Sequence, residues 1–231
     1  MPMPSMTSPN TSPRERSHSD MRLRHKKWTD RVLNENLDIG KNLNDLDSDK
    51  DIVKEYKNLE IGCGLAGFIL ELSRQHPETN YLGVEINKNA FAAAVKKASA
   101  VKEEQKNFLL LNAPIERLFP LFEPNQFDNI YLNFSDPWPK KHQHHRRLTY
   151  PDFQKEYLKI LSDDGTLYFR TDNCELFQDS VGYFKEAGLF DFEVIEPFYS
   201  EKVDYLPPTE YETKFRAKGV DIHVIIAHKK K

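Results

Sequence analysis

The sequence predicts an α/β protein in which a seven-stranded, mostly parallel sheet carries helices on both faces. From about residue 51, short apolar segments alternate with longer helical ones, which is the pattern of a doubly wound sheet with right-handed crossovers. The last two apolar segments, Phe192–Phe198 and Val220–His228, have no helix between them. Because only antiparallel neighbours can do without a long crossover, we expect these two strands to form an antiparallel C-terminal pair.

Five earlier apolar runs predict the parallel strands. Short apolar runs bounded by polar or turn residues are typical of strands that are buried on both faces. In chain order the predicted strands are Leu59–Ile61, Tyr81–Ile86, Phe108–Leu111, Phe127–Phe134 and Thr166–Arg170.

Four helices are predicted between or after these strands. Pro151 suits the start of its helix, because the N–H that proline lacks would be unpaired there in any case. Gly188 suits the position after the last helix, because glycine adopts the left-handed conformation without strain. The predicted helices are Gly67–Gln75, Lys88–Lys102, Asp152–Leu161 and Glu175–Ala187.

Length and composition predict one folded domain behind an N-terminal extension. The 231 residues are enough for a single full hydrophobic core. Residues 1–20 hold four prolines, five serines and two threonines, too polar a composition to offset the entropy of ordering, and we predict a disordered tail. Residues 21–50 run from basic to acidic, and residues 51–231 form the α/β domain.

Charge and cysteine content narrow the classes of function and location. The chain has two cysteines, Cys63 and Cys174, which are too few for a disulfide framework and indicate a reducing cytoplasm. No apolar run approaches the ~18 residues of a membrane span, so no membrane association is expected. A net charge of −3 argues against indiscriminate coating of nucleic acid, so any such contact must come from local patches.

The most informative stretch is Phe134–Lys141, with the sequence FSDPWPKK. Asp136 directly follows a predicted buried strand, where ligands bind in an open α/β sheet. Pro137 and Pro139 stiffen the turn around Trp138. The turn therefore presents a carboxylate, an aromatic ring and two lysines together, a combination that suits a purine base on a phosphate backbone.

A glycine turn follows the first predicted strand. Gly62, Gly64 and Gly67 have the G-x-G-x-x-G spacing, and Glu85 ends the next strand, as in dehydrogenases that bind nicotinamide cofactors. Glu85 would accept hydrogen bonds from a ribose with either type of cofactor. Glu60, just before the turn, would repel a pyrophosphate and attract an ammonium group. We therefore favour S-adenosylmethionine over a nicotinamide cofactor.

Other polar groups follow the remaining strands. Asn112 ends the third strand, where its side chain could bond an adenine edge. Residues 140–147 contain four cations and three histidines. Phosphate binding is favoured over a metal there, because the cations would repel a metal ion. Residues 171–173 and 209–212 reach the same face of the sheet and are candidate walls of a substrate pocket.

These motifs resemble those of the bacterial tRNA (guanine-N(7))-methyltransferases. The resemblance spans residues 21–231 and implies a Rossmann-like class I methyltransferase fold, S-adenosylmethionine as methyl donor, tRNA as partner and no metal. It is carried by Met21-Arg-Leu-Arg24, Glu60-Ile-Gly-Cys-Gly64, Gly83-Val-Glu85, Tyr131–Lys141, Arg146-Arg-Leu-Thr149, Thr171-Asp-Asn173 and Thr209-Glu-Tyr-Glu212.

The resemblance also implies roles for individual residues. The implied donor site consists of Glu60, Gly62, Glu85, Asn112 and Asp136, and Asp136 also matches the catalytic position. The implied substrate-binding residues are Lys140, Asp172, Thr209, Glu210, Tyr211 and Glu212. The implied RNA-contacting residues are His142, Gln143, His144, His145, Arg146 and Arg147.

The chain departs from the family pattern at two places. Leu65-Ala66 stands where the family usually has Lys-Gly, and Asn112 stands where it usually has Asp. Asparagine keeps a carbonyl acceptor and gains donors while losing the charge. On this reasoning Asn112→Asp, which restores the family residue, is expected to leave donor binding equal or tighter.

The chemistry that the resemblance implies needs no obligatory base. N7 of guanine has a free lone pair, so no proton has to leave before methyl transfer. Asp136 is expected to orient the guanine and to stabilise the positive charge that develops on it.

Two alternatives remain open: a methyltransferase acting on an exocyclic amine, and an inactive RNA-binding module with a Rossmann fold. The oligomeric state, monomer or homodimer, is left open as well.

Overall fold

The computed structural model of the protein describes residues 26–36, 38–42, 50–101, 104–195 and 206–230. The predicted disordered tail (residues 1–20) and the basic start of the extension (residues 21–25) lie outside this part of the chain. No helix in the part described is long and apolar enough to cross a membrane.

Eight strands form one sheet in these residues, in the order β1-β4-β3-β2-β5-β6-β8-β7. Neighbours among β1 to β6 are parallel, while β8 runs antiparallel to both β6 and β7. The predicted antiparallel C-terminal pair is therefore confirmed. The strands are β1 Gly40–Asn42, β2 Asn58–Ile61, β3 Tyr81–Val84, β4 Phe108–Asn112, β5 Phe127–Asn133, β6 Leu161–Thr171, β7 Phe190–Ile195 and β8 His223–Lys229.

The eighth strand, β1, is absent from the sequence-based prediction of seven. Its three residues contain no apolar run, and β1 joins the sheet by pairing Gly40 with Leu110 at the edge. A side chain at Gly40 would meet Val95 Cγ2 at 2.4 Å, so the close approach to the neighbouring helix requires glycine. Backbone pairing and this close approach define the strand, and neither produces a hydrophobic pattern in the sequence.

The four predicted helices are present, with two more that were not predicted. Asn87 and Asn173 accept backbone N–H bonds at the starts of α3 and α5, and Gly188 ends α5 with a φ of 60°. The helices are α1 (residues 26–35), α2 Gly67–Gln75, α3 Lys88–Ser99, α4 Pro151–Ile160, α5 Cys174–Ala187 and α6 Glu210–Arg216.

Helices cover both faces of the sheet, as predicted. Alternate strand residues point to opposite faces, so Leu109 and Leu111 lie in one buried cluster and Leu110 in the other. α4 and α5 pack on the first cluster, while α1, α2 and α3 pack on the second. The carboxyl ends of the parallel strands lie on one side of the sheet. The turns after β2, β3, β4, β5 and β6 therefore lie next to one another on that side.

Candidate active site

The turn between β2 and α2 is shaped by three residues with positive φ: Gly62 at 79°, Gly64 at 54° and Ala66 at 59°. The backbone N–H of Gly62 donates to the carbonyl of Val84 at 2.8 Å, which fixes the turn to β3. No side chain caps the start of α2 at Ala66, so the first backbone N–H groups of the helix have no side-chain acceptor at the turn. For alanine this left-handed conformation costs roughly 1–2 kcal/mol, which is the consequence of lacking glycine there.

Glu85 lies at the end of β3 and organises the donor side of the site. It is buried, and its two carboxylate oxygens accept backbone N–H bonds from Gly64 at 3.0 Å and from Asn87 at 2.6 Å. A carboxylate has about four acceptor positions, so about two remain for a ligand. Sequence reasoning identified this residue but not its second role, which is to hold the glycine turn.

Asn112, at the end of β4, is bonded to the backbone of the same region. Its amide nitrogen donates to the carbonyl oxygens of Glu85, at 2.7 Å, and Ile86, at 3.3 Å. These two acceptors fix the orientation of the amide, so that its oxygen points away from both carbonyls. The arrangement reverses the expectation that aspartate would serve equally well or better at this position.

Asn112→Asp is therefore expected to weaken S-adenosylmethionine binding. A carboxylate cannot donate, so two backbone carbonyls lose their donor and face a negative charge instead, at a cost of about 1–3 kcal/mol. Calorimetric titration should show a Kd about 5- to 150-fold weaker. Asn112→Ser, which keeps a short donor, serves as the matched control. Equal or tighter binding by Asn112→Asp would contradict the role given to these two bonds.

Glu60 is a buried carboxylate beside the glycine turn. It is 2 % exposed, and its Oε1 accepts a bond from the Asn133 side chain at 2.9 Å. Its Oε2 is buried with no hydrogen-bond partner among the described residues. Burial raises the pKa of Glu60 to about 7, against the opposing influence of the Asn133 bond and the positive charge of Arg170. Among the residues that the structure describes, none therefore donates a hydrogen bond to this oxygen.

A small cavity of about 60 Å³ adjoins Glu60. Its walls come from the glycine turn, the end of β5 and the start of α6, including Asn133, Thr209 and Tyr211. This volume is close to that of two water molecules, so the cavity has room for a charged end group and not for a nucleoside. A nucleoside would have to lie outside it, toward the ends of β3 and β4.

The turn that follows β5 carries Asp136 in an exposed position. Phe134 and Trp138, on either side, have positive φ values of 51° and 41°. Such values are uncommon for bulky residues, and backbone strain of this kind concentrates at functional sites. The backbone N–H of Phe134 donates to the carbonyl of Arg170 at 2.8 Å, which fixes the start of the turn to β6.

Trp138 is half-buried, and one face of its ring is already covered. The Arg146 guanidinium lies 4.9 Å from the ring centroid, a cation–π arrangement. A purine can therefore stack on Trp138 only against the other face of the ring. Arg146 itself is exposed and remains available to a phosphate, as do Lys140, His142 and His145.

Helix α6 contains the predicted substrate-binding run, and its residues differ in exposure. Thr209 accepts the N–H of Glu212 at 3.0 Å and so caps the helix. Glu210 pairs with Lys97 on α3, and Tyr211 is 57 % exposed and stacks on Phe134. The exposed Tyr211 is therefore the side chain of this run that a substrate can reach most directly.

Glu212 is a correction to the sequence-based interpretation. It is fully buried, and its two oxygens pair with Arg170 at 2.9 Å and Arg216 at 2.7 Å. Arg170, also fully buried, donates in turn to Asn133 at 2.8 Å. We therefore assign Glu212 to the attachment of α6 rather than to direct substrate contact. Sequence reasoning missed Arg170, because an arginine at a strand end gives no sign of burial.

Arg147 is the second correction. It is 1 % exposed, and its guanidinium is bonded to groups inside the protein rather than facing solvent. A buried, paired guanidinium cannot bind an RNA phosphate without breaking these bonds. Of the other predicted residues, Gln143, His144 and Asp172 are half-buried near the same edge of the sheet.

A larger open groove of about 660 Å³ lies beside α4 and contains none of the predicted donor-site residues. Glu116, Asp152 and Glu156 line it together with Lys159 and His145. This excess of carboxylates makes the groove a poor surface for RNA, so we place the chemistry at the strand ends.

Comparison with known proteins relates the chain to methyltransferases. Residues 54–225 match a family model described as "Putative methyltransferase". The tRNA (guanine-N(7)-)-methyltransferase of Bacillus subtilis (strain 168) is 39 % identical over 207 residues, covering 88 % of this chain and 96 % of the relative. The protein of the same name from Limosilactobacillus reuteri (strain DSM 20016) is 37 % identical, covering 90 % and 99 %.

Solved structures support the fold alone, because their sequence identities are low. The 16S rRNA methyltransferase KamB matches with a TM-score of 0.56 and 17 % identity, covering 80 % of this chain and 94 % of that one. The tRNA (m1A58) methyltransferase TrmI from Aquifex aeolicus matches with a TM-score of 0.51 and 16 % identity, covering 77 % and 64 %. The sheet described above is thus a class I methyltransferase sheet.

Proposed function

The chain belongs to the tRNA (guanine-N(7)-)-methyltransferase family, and from this premise we propose that it methylates N7 of a guanine in tRNA with S-adenosylmethionine as the donor. The observation that carries the proposal is the placement of two carboxylates at the ends of the neighbouring strands β2 and β5. Glu60 on β2 is buried with one unpartnered oxygen, and Asp136 is exposed just after β5. By resemblance to the family, the target would be the guanine of the variable loop.

The residues at the glycine turn fit the proposed donor. The unpartnered Oε2 of Glu60 and the small cavity beside it suit an ammonium group, such as that of the methionine part. The remaining acceptor positions of Glu85 suit two ribose hydroxyls, and the free amide oxygen of Asn112 suits an adenine amino group. Gly62 keeps the backbone accessible at the turn. When bound, S-adenosylmethionine supplies an electrophilic methyl group.

Asp136 is assigned to the guanine. Its carboxylate can accept hydrogen bonds from the donor edge of the base and so orient N7. The same negative charge stabilises the positive charge that develops on the purine as N7 is methylated. No group has to remove a proton before the reaction, because N7 has a free lone pair. Asp136 therefore acts by position and charge.

The RNA is assigned to the exposed cations after the Asp136 turn. Lys140 precedes the short 3-10 helix Lys141–Arg146 and Arg146 is its last residue, and both can pair with phosphates near the target base. Tyr211, exposed beside Phe134, offers an aromatic ring to an unstacked base. A cytoplasmic location, where tRNA is found, stays a prediction.

The proposed activity can be tested with unmodified tRNA transcript and methyl-labelled donor, followed by nucleoside analysis. We expect label in 7-methylguanosine. A transcript in which 7-deazaguanosine replaces the target guanosine should accept no label, because the attacking nitrogen is absent. Label on an exocyclic amine would favour the other class of methyltransferase. An RNA-binding module without activity would show no donor binding by calorimetry.

Donor affinity is expected to depend on pH through Glu60. The pKa of about 7 means that Glu60 is ionised above that pH and protonated below it, and only the ionised form pairs with an ammonium. The Kd for the donor should therefore increase about tenfold from pH 8 to pH 6. Calorimetry at several pH values measures this.

Glu60→Gln is the control for this dependence. Its Kd should be weaker above pH 7 and nearly constant over the same range, because the amide does not titrate. A wild-type Kd that does not change with pH would remove Glu60 from the ammonium site.

A further inference from the structure

We propose that Arg147 is a positioning residue that fixes the Asp136 turn against helix α5. The inference rests on the proposed function, since it explains how the proposed catalytic carboxylate is held in place. In the sequence, Arg147 lies among basic residues, which indicates RNA binding. The inference gives it a structural role instead.

The guanidinium of Arg147 connects two elements. Its Nε donates to the carbonyl oxygen of Pro137 at 2.8 Å, one residue beyond Asp136. Its Nη1 donates to Asp179 and, at 3.1 Å, to the hydroxyl of Tyr183, both on α5. A planar guanidinium with donors on different edges can make these bonds at once, whereas an ammonium group is a single point.

The Asp136 turn depends on this contact. Residues 135–139 make no backbone–backbone hydrogen bond with any other residue that the structure describes. The turn begins at the bond from Phe134 to Arg170, and the next backbone bond is from Gln143 to Lys140. Between these points, the bond from Arg147 to Pro137 is the side-chain bond that holds the backbone of the turn. Proline rings restrict φ here, but they do not fix where the turn lies relative to the sheet.

Arg147 is itself rigidly held. Its N–H donates to His144 at 3.0 Å, and its carbonyl accepts from Tyr150 at 2.9 Å, just before α4. Thr149 and Ser180 share a buried bond at 2.7 Å, which adds a second link from this segment to α5. These contacts fix the backbone from which the Arg147 side chain extends.

The charge of Arg147 is balanced within the protein. Asp179 bonds to the guanidinium, and Glu175 Oε1 lies 3.9 Å from Nη2. His144, Glu175 and Asp179 have ligand atoms within 4.8 Å of one another, the spacing of a metal site. The guanidinium already pairs with both carboxylates and would repel a cation, so we assign this cluster to Arg147.

Arg146 provides the matched comparison, because it is adjacent in sequence and differs in exposure. Its guanidinium is exposed and stacks on Trp138, so it is free to bind phosphate. Loss of Arg146 should raise KM for tRNA and reduce the slope of log affinity against log salt by about 0.7–0.9. Loss of Arg147 should leave that slope unchanged.

The test compares Arg147→Lys, Arg147→Met, Asp179→Asn and Arg146→Ala for kcat, KM, salt slope and Tm. We expect the Arg147 variants to lower kcat by about 10- to 100-fold, the scale of a 1 Å misplacement, with KM for tRNA within about twofold. Arg147→Lys, which can reach one partner, should retain more kcat than Arg147→Met. Asp179→Asn should also lower kcat, although it lies on α5 and does not contact the turn. The Asp179→Asn variant still tests the proposal if Arg147→Met fails to fold.

Fluorescence of Trp138, in a Trp28→Phe background, follows the turn without using activity. The Arg147 variants should show stronger acrylamide quenching than the parent. A lowered Tm with unchanged kcat and quenching would make Arg147 merely structural, and a reduced salt slope would make it an RNA contact. Either result overturns the proposal. An inactive wild-type enzyme would refute the proposed function instead, and the quenching comparison would still decide whether Arg147 positions the turn.

Discussion

Asp136→Ala is expected to lower the turnover of tRNA methylation by about 100-fold or more, the scale of removing one electrostatic group aimed at developing charge. The side chain is exposed at a turn and not packed in the core, so the free energy of unfolding should change little. Single-turnover assays with saturating donor and tRNA measure the chemical step directly. Tm should stay within a few degrees of wild type.

Two variants control this result. Asp128→Ala removes an exposed carboxylate from the opposite end of the same strand, β5, and should leave turnover unchanged. Asp136→Asn keeps one acceptor oxygen, replaces the other with an N–H₂ donor and removes the charge, so its loss of turnover reports the charge and the second acceptor together. Normal turnover in Asp136→Ala would transfer the proposed catalytic role to another residue.

Arg170→Met is expected to lower the free energy of unfolding by about 3–5 kcal/mol, the scale of removing one partner from a buried ion pair, because Glu212 then keeps only Arg216 and its Oε2 loses its donor. Arg170 and Glu212 are both fully buried, and the arginine also bonds to Asn133. Burial lowers the pKa of Arg170, and the neighbouring carboxylates of Glu212 and Glu60 oppose that shift. The charged form of Arg170 is therefore stabilised by these two carboxylates. Urea unfolding followed by far-ultraviolet circular dichroism measures the loss.

The exposed pair Lys97–Glu210 supplies the control. Both side chains are 44 % exposed, so Lys97→Met should cost no more than about 1 kcal/mol. The double variant Arg170→Met/Glu212→Leu should recover much of the loss, because neither buried charge is then left without its partner. If Arg170→Met costs no more than Lys97→Met, the buried pair contributes little and α6 must be attached by other contacts.

Much of the sheet could be predicted because its signals are local. The predicted bounds of α2, Gly67–Gln75, are those observed, since a glycine turn precedes it and an apolar stripe runs along it. β1 and α6 could not be predicted in this way. β1 exists through pairing with β4, and α6 is attached through the buried pair of Glu212 with Arg170. These are contacts between residues far apart in sequence.

The candidate site shows the same division. The positions of Glu60, Glu85 and Asp136 at strand ends follow from the strand pattern, but their partners do not. Two adjacent arginines in one motif, Arg146 and Arg147, are exposed and buried respectively, and sequence spacing cannot distinguish them. The bonds of Asn112 to two carbonyls likewise depend on how β3 and β4 lie side by side.

The buried bonds from Glu60 through Asn133 and Arg170 to Glu212 join the candidate donor cavity to helix α6, which carries Tyr211, the proposed tRNA contact. The binding of two ligands to one protein obeys a reciprocity. If bound donor changes the affinity for tRNA by some factor, bound tRNA must change the affinity for donor by the same factor. Measuring either ligand's affinity with and without the other therefore yields the coupling free energy in both directions.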